Sequence, residues 1–321
     1  MTPKQRFIAA LERQPVAGHV PHFELVFYLT MESIGKVHPT HRVFHQWDQM
    51  SQKEKALQRR DAAQTYIDIA DKYQHDAIFV HSFVPGADEM ILLLESIREI
   101  SGDRYFLMMH GDPTFSIPGG NNMIEESVLF YEQPELMKSR AQKQVDEMLQ
   151  YVETIAKTGL LDGVGMCSDY CFNTNPFLRP SMFAEFVTPY LAKTIEAYRS
   201  MGLYSIKHTD GNIMPIIDQL VQCKPDALHS LDPQGGVDLA YVKKTYGDQV
   251  CLIGNVNCAL LQNGTEEEMS ADVLRSLRDG MSGGYGYIFS TSNCIYTGLA
   301  LSRYETMHKL WREHGIYPED K

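Results

Sequence analysis

The segment Lys207-His-Thr-Asp-Gly-Asn212 places an imidazole and a carboxylate two positions apart, directly after the apolar run Leu203–Ile206. Side chains two apart on an extended chain point the same way. Neutral imidazole and carboxylate oxygen are both ligands of zinc and related divalent metals. We therefore predict His208 and Asp210 as metal ligands, with Asp210 also a candidate acid or base. The structural alternative is that His208 bonds the backbone and Asp210 caps the next helix.

A thiol follows the last apolar run of the chain. Cys294 comes after Tyr285–Phe289 and the polar stretch Ser290–Asn293. In a closed barrel the last strand lies beside the first, so this thiol would face the same mouth as His208. A thiolate there could complete a zinc site or act as a nucleophile. The alternative is a buried cysteine that packs as a small hydrophobe.

Other apolar runs also end at polar residues that can do chemistry. Glu24 and Asp169 are carboxylates suited to acid–base work, and we predict them as catalytic candidates beside Asp210. Glu89 and His110 form a further metal-capable pair. Each of these residues also has a structural explanation, such as a cap or a loop hydrogen bond. The polar residues predicted at strand ends are Glu24, His81, His110, Asp169, Asp232 and Asn255.

The elements that would bring these side chains together are eight short apolar runs that alternate with helical segments. Short apolar runs are typical of parallel strands buried on both faces, and the alternation predicts a (β/α)8 TIM barrel. No composition break marks a linker, so residues 1–321 are predicted to form one domain. The predicted strands are Val20–Val26, Ala77–His81, Tyr105–Met109, Gly163–Met166, Tyr204–Lys207, Ala227–Leu231, Val250–Ile253 and Tyr285–Phe289.

Two further segments are distinctive. Residues 3–13 predict an N-terminal helix, because Thr2 can cap it and Pro3 suits the first helical position. The segment Phe27–Met50 is too long for an ordinary βα loop and is interpreted as a lid or substrate loop. Its histidines are expected to be solvated, and aromatic residues near the mouth are expected either to form apolar walls or to belong to the core. The histidines are His38, His41 and His45, and the aromatic residues are Phe27, Tyr28 and Tyr170.

Composition excludes several classes of function. The formal net charge is -12 and there is no Lys/Arg run, which argues against a nucleic-acid surface. No apolar run approaches the roughly 20 residues of a membrane span. The N-terminus lacks the apolar core of a signal peptide, and the six cysteines are widely scattered. We interpret them as reduced thiols of a cytoplasmic protein.

Several motifs of common enzymes are missing from the sequence. There is no GxGxxG after the first predicted strand, no Walker A motif, no HExxH and no GxSxG. Dinucleotide binding, phosphoryl transfer by a P-loop and serine hydrolysis therefore lose support.

The sequence resembles the uroporphyrinogen decarboxylase superfamily over nearly its whole length. The resemblance lies in the order and spacing of short motifs, each of which is weak alone, and it implies a (β/α)8 barrel. The motifs are Lys4-Gln-Arg-Phe-Ile-Ala-Ala-Leu11 with Val20-Pro21, Arg179–Tyr190, Lys207–Asn212, Leu252-Ile-Gly-Asn-Val256 and Gly283–Ser292.

Within this superfamily the chain looks closest to the cobamide-dependent, O-demethylase-like methyltransferases. A porphyrinogen decarboxylase would need arginines in its first segment to hold substrate carboxylates, and Val20–Val26 has none. The methyltransferases hold zinc through a His-x-Cys pair and a later cysteine, which His208 and Cys294 match. Asp210 replaces the middle cysteine, which departs from zinc–thiol chemistry and is compatible with activation of a different acceptor or donor, such as an aryl methyl ether. Relatives with ligands of Glu and His type keep Glu89 and His110 as candidates.

The resemblance implies zinc-assisted methyl transfer from a small methylated compound to a corrinoid carried by a partner protein. An aryl methyl ether or a methylamine-like compound would be the donor, and the family resemblance implies a homodimer. One alternative is a decarboxylase or related lyase that acts on a non-porphyrin substrate. The other is a barrel that binds a ligand without catalysis.

Overall fold

The structure, a computed structural model, describes residues 1–317. These residues contain one sheet of seven strands, all parallel and ordered as in the sequence from first to last. Nearly every strand residue is buried, which explains why the strands read as apolar runs. The strands are β1 Ala77–Val80, β2 Phe106–His110, β3 Gly163–Cys167, β4 Tyr204–Thr209, β5 Ala227–Ser230, β6 Cys251–Val256 and β7 Tyr287–Thr291.

Helices connect successive strands, so the chain is an α/β protein with a curled sheet of the TIM-barrel kind. Parallel neighbours need such crossovers, and consecutive strand order with a helix at each step curls the sheet. The helices are α1 Pro3–Leu11, α2 Thr30–Ile34, α3 Gln52–Lys72, α4 Ala87–Ser101, α5 Met123–Glu132, α6 Pro134–Ala156, α7 Pro180–Phe186, α8 Thr188–Ser200, α9 Ile217–Gln222, α10 Leu239–Tyr246, α11 Cys258–Asn263, α12 Glu266–Gly280 and α13 Leu301–His314.

The predicted first strand, Val20–Val26, is not a regular strand in the structure. It makes one isolated parallel bridge, from His22 to Phe289 of β7. The Phe23 N–H donates to the Phe289 carbonyl at 3.1 Å, and the Asp76 N–H donates to the His22 carbonyl at 2.8 Å. The segment therefore links β7 to the start of β1. Pro21 has no N–H to donate, so pairing here is limited to single bridges.

Three strands extend two or more residues past their predicted ends. β4 continues to Thr209, β6 to Val256 and β7 to Thr291. His208 therefore lies within its strand, and Asp210 is the first residue after it. The prediction stopped where apolar character stopped, but these polar residues are buried and hydrogen-bonded, so strand pairing continues through them.

The N-terminal helix ends at Leu11, two residues before the predicted end, because Arg13 adopts a positive φ of 56°. Thr2 caps it through a capping box with Gln5. The predicted loop Phe27–Met50 contains α2 and two short 3-10 helices at 39–41 and 47–49. Among the helices of residues 1–317, none combines the length and apolar character needed to span a bilayer.

Candidate active site

Asp169, His208 and Asp210 meet at the carboxyl ends of β3 and β4. The register pairs Cys167 with His208, so two residues further along the chain Asp169 comes beside Asp210. The Asp210 N–H donates to Asp169 Oδ1 at 3.0 Å. His208 Nε2 lies 3.9 Å from Asp169 Oδ1 and 3.8 Å from Asp210 Oδ1. One possible ligand atom from each residue lies within 4.8 Å of the other two.

The Asp210 carboxylate is incompletely hydrogen-bonded. Asn293 Nδ2 donates to its Oδ2. The Ser230 hydroxyl lies near Asp210 and acts to lower its pKa. Neither Ser230 Oγ nor Asp210 Oδ1 has a hydrogen-bond partner within residues 1–317. Burial raises the pKa of Asp210 to about 7, and the nearby carboxylates of Asp169 and Asp232 add to the rise.

His208 also contacts a second buried imidazole, which the sequence analysis did not identify. His208 Nδ1 lies 2.7 Å from His229 Nδ1, and His229 Nε2 lies 3.2 Å from the carbonyl oxygen of Thr291. Burial lowers the pKa of His208 to about 4 and holds the pKa of His229 well below its usual range. Both imidazoles are therefore neutral near pH 7. An available signal was that His229 interrupts the buried apolar run Ala227–Leu231.

Cys294 lies beside this group but is not a member of it. Its N–H donates to Asn293 Oδ1 at 2.6 Å, and Asn293 in turn donates to Asp210. Burial raises the pKa of the Cys294 thiol to about 12, and the Asp210 charge adds to the rise. The sulfur does not belong to the set of ligand atoms that all lie within 4.8 Å of one another. Residues 208 and 294 thus approach the same end of the barrel, joined by Asn293.

Glu24 lies deeper in the barrel, where protein groups surround its oxygens. Thr291 Oγ1 donates to Glu24 Oε2 at 2.5 Å, and Ser290 Oγ donates to the same oxygen at 3.4 Å. Glu24 Oε1 lies 3.3 Å from His22 Nε2. The carboxylate is buried and outside the group formed by Asp169, His208 and Asp210.

The further pair predicted from the sequence, Glu89 and His110, is not part of a three-residue ligand group within residues 1–317. Glu89 lies in the first turn of α4, where Arg59 Nη1 donates to its Oε2 at 2.9 Å. His110 is the last residue of β2 and the one exposed residue of that strand, and partial desolvation by the surrounding protein lowers its pKa. Burial lowers the pKa of the nearby His81 imidazole to about 4, and His110 contributes to this lowering.

A buried ion pair lies next to the site and was missed. Lys207 Nζ donates to Asp112 Oδ2 at 2.6 Å and to the carbonyls of Met166 and Ser168 at 3.2 and 2.9 Å. The ammonium also lies 4.1 Å from the ring centroid of Tyr170. Lys207 thereby holds the chain just before Asp169. A lysine inside a short buried strand was the signal in the sequence.

The long segment contributes differently from the prediction. His41 and His45 are exposed as expected, but the expectation that His38 is solvated is wrong. His38 is buried edge-on to Tyr28 and Tyr66, and burial lowers its pKa to about 3. Tyr28 is near Cys294, whose charge adds to the effect of burial in raising the Tyr28 pKa.

Two of the predicted wall residues lie in the protein interior. Phe27 packs edge-on against Tyr304, at 4.9 Å between ring centroids. Tyr170 covers the Lys207 ammonium, and its hydroxyl lies 2.5 Å from Thr114 Oγ1. Both rings are buried, so of the three predicted wall residues only Tyr28 is partly exposed.

Comparison with solved structures identifies proteins of similar fold at low sequence identity. A methyltransferase from Methanosarcina mazei superposes with a TM-score of 0.73 at 15% identity, over 98% of this chain and 99% of the other. A GH5_18 protein from Bifidobacterium longum subsp. infantis gives 0.51 at 9% identity, over 95% of this chain and 80% of the other. A comparison with curated proteins gives no match.

The sequence itself matches one family profile. The profile is that of uroporphyrinogen decarboxylase (URO-D), and it matches residues 119–314. This region contains Asp169, His208, Asp210 and Cys294, and it covers more than half of the chain. The protein therefore belongs to the uroporphyrinogen decarboxylase family.

Proposed function

We propose that this protein is a metal-assisted methyltransferase that moves a methyl group from a small methylated compound to a corrinoid carried by a partner protein. The observation that carries the proposal is the convergence of Asp169, His208 and Asp210 at the barrel mouth, with one neutral imidazole facing two carboxylates. Family membership and the fold shared with a methyltransferase support it.

The residues present fit a zinc ion. Zinc binds nitrogen and oxygen ligands at about 2.0–2.2 Å, so two tetrahedral ligands lie about 3.4 Å apart. The distances of 3.8 and 3.9 Å from His208 Nε2 to the two carboxylates are within about half an ångström of that spacing. A bound zinc ion would give the oxygen Asp210 Oδ1, which has no hydrogen-bond partner within residues 1–317, a partner of its own. We propose Asp169 as the third ligand, in the place where the sequence suggested Cys294.

The chemical need is stabilisation of the leaving atom. When the bond between the methyl carbon and the heteroatom breaks, the methyl group passes to the cobalt nucleophile, and the heteroatom keeps the electron pair and must gain a proton. A bound zinc ion supplies Lewis-acid stabilisation of that atom. In the metal-free protein Asp210 can hold a proton at the same place, because burial raises its pKa to about 7, whereas zinc binding would keep this carboxylate ionised.

The other residues position and enclose this chemistry. Asn293 orients Asp210, and the Asp210 N–H orients Asp169. Asp169 is about half exposed, so it lies where a substrate enters. The role of Glu24 as a catalytic residue stays a prediction. Its hydrogen bond from Thr291 favours a role in holding the end of β7 in place.

The charge around the site favours a neutral or cationic donor. Asp169, Asp210 and Asp232 lie close together, and Lys207 is neutralised by Asp112. A substrate with several carboxylates would meet like charge. An aryl methyl ether or a methylated amine fits this environment, whereas a porphyrinogen does not.

A second candidate is a carboxy-lyase acting on a non-porphyrin substrate. A carboxylic acid with a pKa near 7 can deliver a proton to the carbanion left when carbon dioxide departs, and Asp210 has that property. Family membership favours this reaction as well. A barrel that binds a ligand without turnover is the remaining alternative.

The proposal is tested by zinc analysis and a spectral assay with cob(I)alamin as methyl acceptor. The donors are methoxylated aromatics and methylated amines, assayed with the zinc-loaded protein. We expect about one zinc per chain and a donor-dependent loss of the Co(I) absorption, both abolished in His208→Ala and retained in Glu89→Gln. Protein that binds no zinc and methylates no acceptor would overturn the proposal, and release of carbon dioxide from carboxylated compounds would support the lyase.

A further inference from the structure

We infer that His229 is a positioning residue that fixes the tautomer of His208, so that the Nε2 lone pair of His208 faces Asp169 and Asp210. The inference deepens the proposed function and rests on it for the role of His208 as a ligand. The tautomer itself follows from hydrogen bonds in the barrel interior.

The first step concerns the two imidazoles. His208 Nδ1 and His229 Nδ1 are 2.7 Å apart, with ring centroids separated by 4.9 Å. At this distance one nitrogen must donate a proton and the other must accept it. Both rings are buried, and a charged imidazole here would be costly because no carboxylate within residues 1–317 accepts a hydrogen bond from either ring, the nearest to His208 lying 3.8 and 3.9 Å away. Each ring therefore carries one proton.

The second step sets the direction of the hydrogen bond. His229 Nε2 faces the carbonyl oxygen of Thr291 at 3.2 Å, and a carbonyl can only accept. The Ser290 hydroxyl at 3.4 Å can either accept or donate, so it does not oppose this direction. The single proton of His229 is therefore on Nε2, and its Nδ1 is an acceptor.

The third step follows at His208. Its Nδ1 must donate to His229, so its own single proton is on Nδ1 and its Nε2 carries a lone pair. That lone pair faces Asp169 Oδ1 and Asp210 Oδ1 at 3.9 and 3.8 Å. Three electron-rich atoms that face one another in this way are suited to bind a metal cation. Histidine ligands of metals are commonly oriented in this way through their second nitrogen.

The arrangement gives His229 a role that packing alone does not. Its acceptor nitrogen determines which nitrogen of His208 is free, and Thr291 determines which nitrogen of His229 is free. A residue of similar size without an acceptor would allow His208 to place its proton on Nε2, where it would point at Asp169 and Asp210 and block a metal ion.

The experiment reads the tautomer directly in metal-free protein. Long-range 1H–15N spectra of protein labelled at histidine distinguish protonated from unprotonated ring nitrogens. In the unsubstituted protein we expect His208 to be protonated at Nδ1 and bare at Nε2. In His229→Leu we expect the Nε2-protonated form to become populated and zinc affinity to fall 10- to 100-fold. His229→Asn keeps an acceptor, its side-chain oxygen, in the place of His229 Nδ1. It should therefore retain the Nδ1-protonated form of His208 and most of the zinc affinity.

Two results would overturn the inference. One is a spectrum of the unsubstituted protein that places the His208 proton on Nε2. The other is an equal loss of zinc affinity in His229→Leu and His229→Asn, which would assign the effect to packing. If His229→Leu does not fold, the unsubstituted spectrum and the Asn variant still decide. A protein that shows the expected tautomer but methylates no acceptor retains the inference and loses the proposed function.

Discussion

Lys207 and His208 are neighbours on β4, and their side chains enter two polar arrangements of opposite character. The Lys207 ammonium donates to Asp112 and to the carbonyls of Met166 and Ser168. Asp112 also accepts from the N–H groups of Thr114 and Ser168. The charges are paired and their hydrogen bonds are made, although both side chains are fully buried.

In the arrangement around His208 the charges are not paired and one hydrogen bond is not made. Two carboxylates face one neutral imidazole, and Asp210 Oδ1 has no hydrogen-bond partner within residues 1–317. Evolution rarely leaves a buried oxygen unpaired in a purely structural position. The difference between the two neighbours gives Lys207 a structural role and supports the proposal that His208 belongs to a site that a ligand completes.

The largest expected effect comes from breaking the complete arrangement. Lys207→Met leaves the Asp112 charge buried without its partner, and we expect the free energy of unfolding to fall by about 3–5 kcal/mol. Urea denaturation measures it. Lys143→Met removes an exposed pair with Glu147 and should change stability little. Adding Asp112→Leu to Lys207→Met should recover much of the loss, because no unpaired charge remains. A loss below about 1 kcal/mol for Lys207→Met would contradict the contrast.

The next effect comes from the incomplete arrangement. Asp210→Asn removes a proposed zinc ligand and a carboxylate that burial disfavours, so zinc affinity should fall at least about 100-fold while the metal-free protein is not destabilised at pH 7. Calorimetric zinc titration and urea denaturation measure the two quantities. Glu89→Gln is the matched control, because Arg59 already engages that carboxylate outside the group. Unchanged zinc binding in Asp210→Asn would remove the metal from the proposal.

The contrast between these neighbours also shows what the sequence could predict. The α/β barrel architecture followed from short apolar runs, and His208 and Asp210 were identified because they follow such a run. The prediction of a regular strand at Val20–Val26 was wrong. It rested on hydrophobicity, which does not take into account that Pro21 has no N–H to donate. Asp169 was recognised as a candidate, but its place beside Asp210 depends on the register of β3 with β4.

Other parts of the site depended on contacts between distant segments. Asn293, His229 and Asp112 lie far from their partners in sequence, and each is a common polar residue with many structural explanations. Lys207 and His229 carried a usable signal, since each interrupts a buried apolar strand and must therefore be paired inside the protein. Periodicity cannot say with which residue, because pairing across strands is set by register and loop path.

A smaller effect separates the two buried carboxylates by pH. The folded-state pKa of Asp210 is raised to about 7, so its contribution is most favourable below about pH 4 and is lost as pH rises through 7. The pKa of Asp112 is lowered despite burial, chiefly by Lys207, so its contribution is present above about pH 4 and is lost in acid.

This difference is measured by urea denaturation of metal-free protein between pH 4 and 8, with Asp210→Asn as reference. The unsubstituted protein should lose up to about 1.4 kcal/mol per pH unit relative to the variant between about pH 4 and 7, and the difference should level off above pH 7. The difference between the unsubstituted protein and Asp112→Asn should show no such slope above pH 5, where Asp112 is ionised in both states. A flat difference between the unsubstituted protein and Asp210→Asn would show that Asp210 ionises normally.

The smallest effect is expected at Cys294. Its sulfur is outside the group of three ligand atoms, and burial raises its pKa to about 12, so it is a neutral thiol without metal. Cys294→Ser should therefore change zinc affinity by less than about threefold, well below the effect of removing a ligand. Zinc titration at pH 7 measures it, with Cys223→Ser, at the C-terminal end of α9 and outside the group of three ligand atoms, as the control. If Cys294→Ser weakens zinc binding as much as Asp210→Asn, the thiol is a ligand and Asp169 has the lesser part.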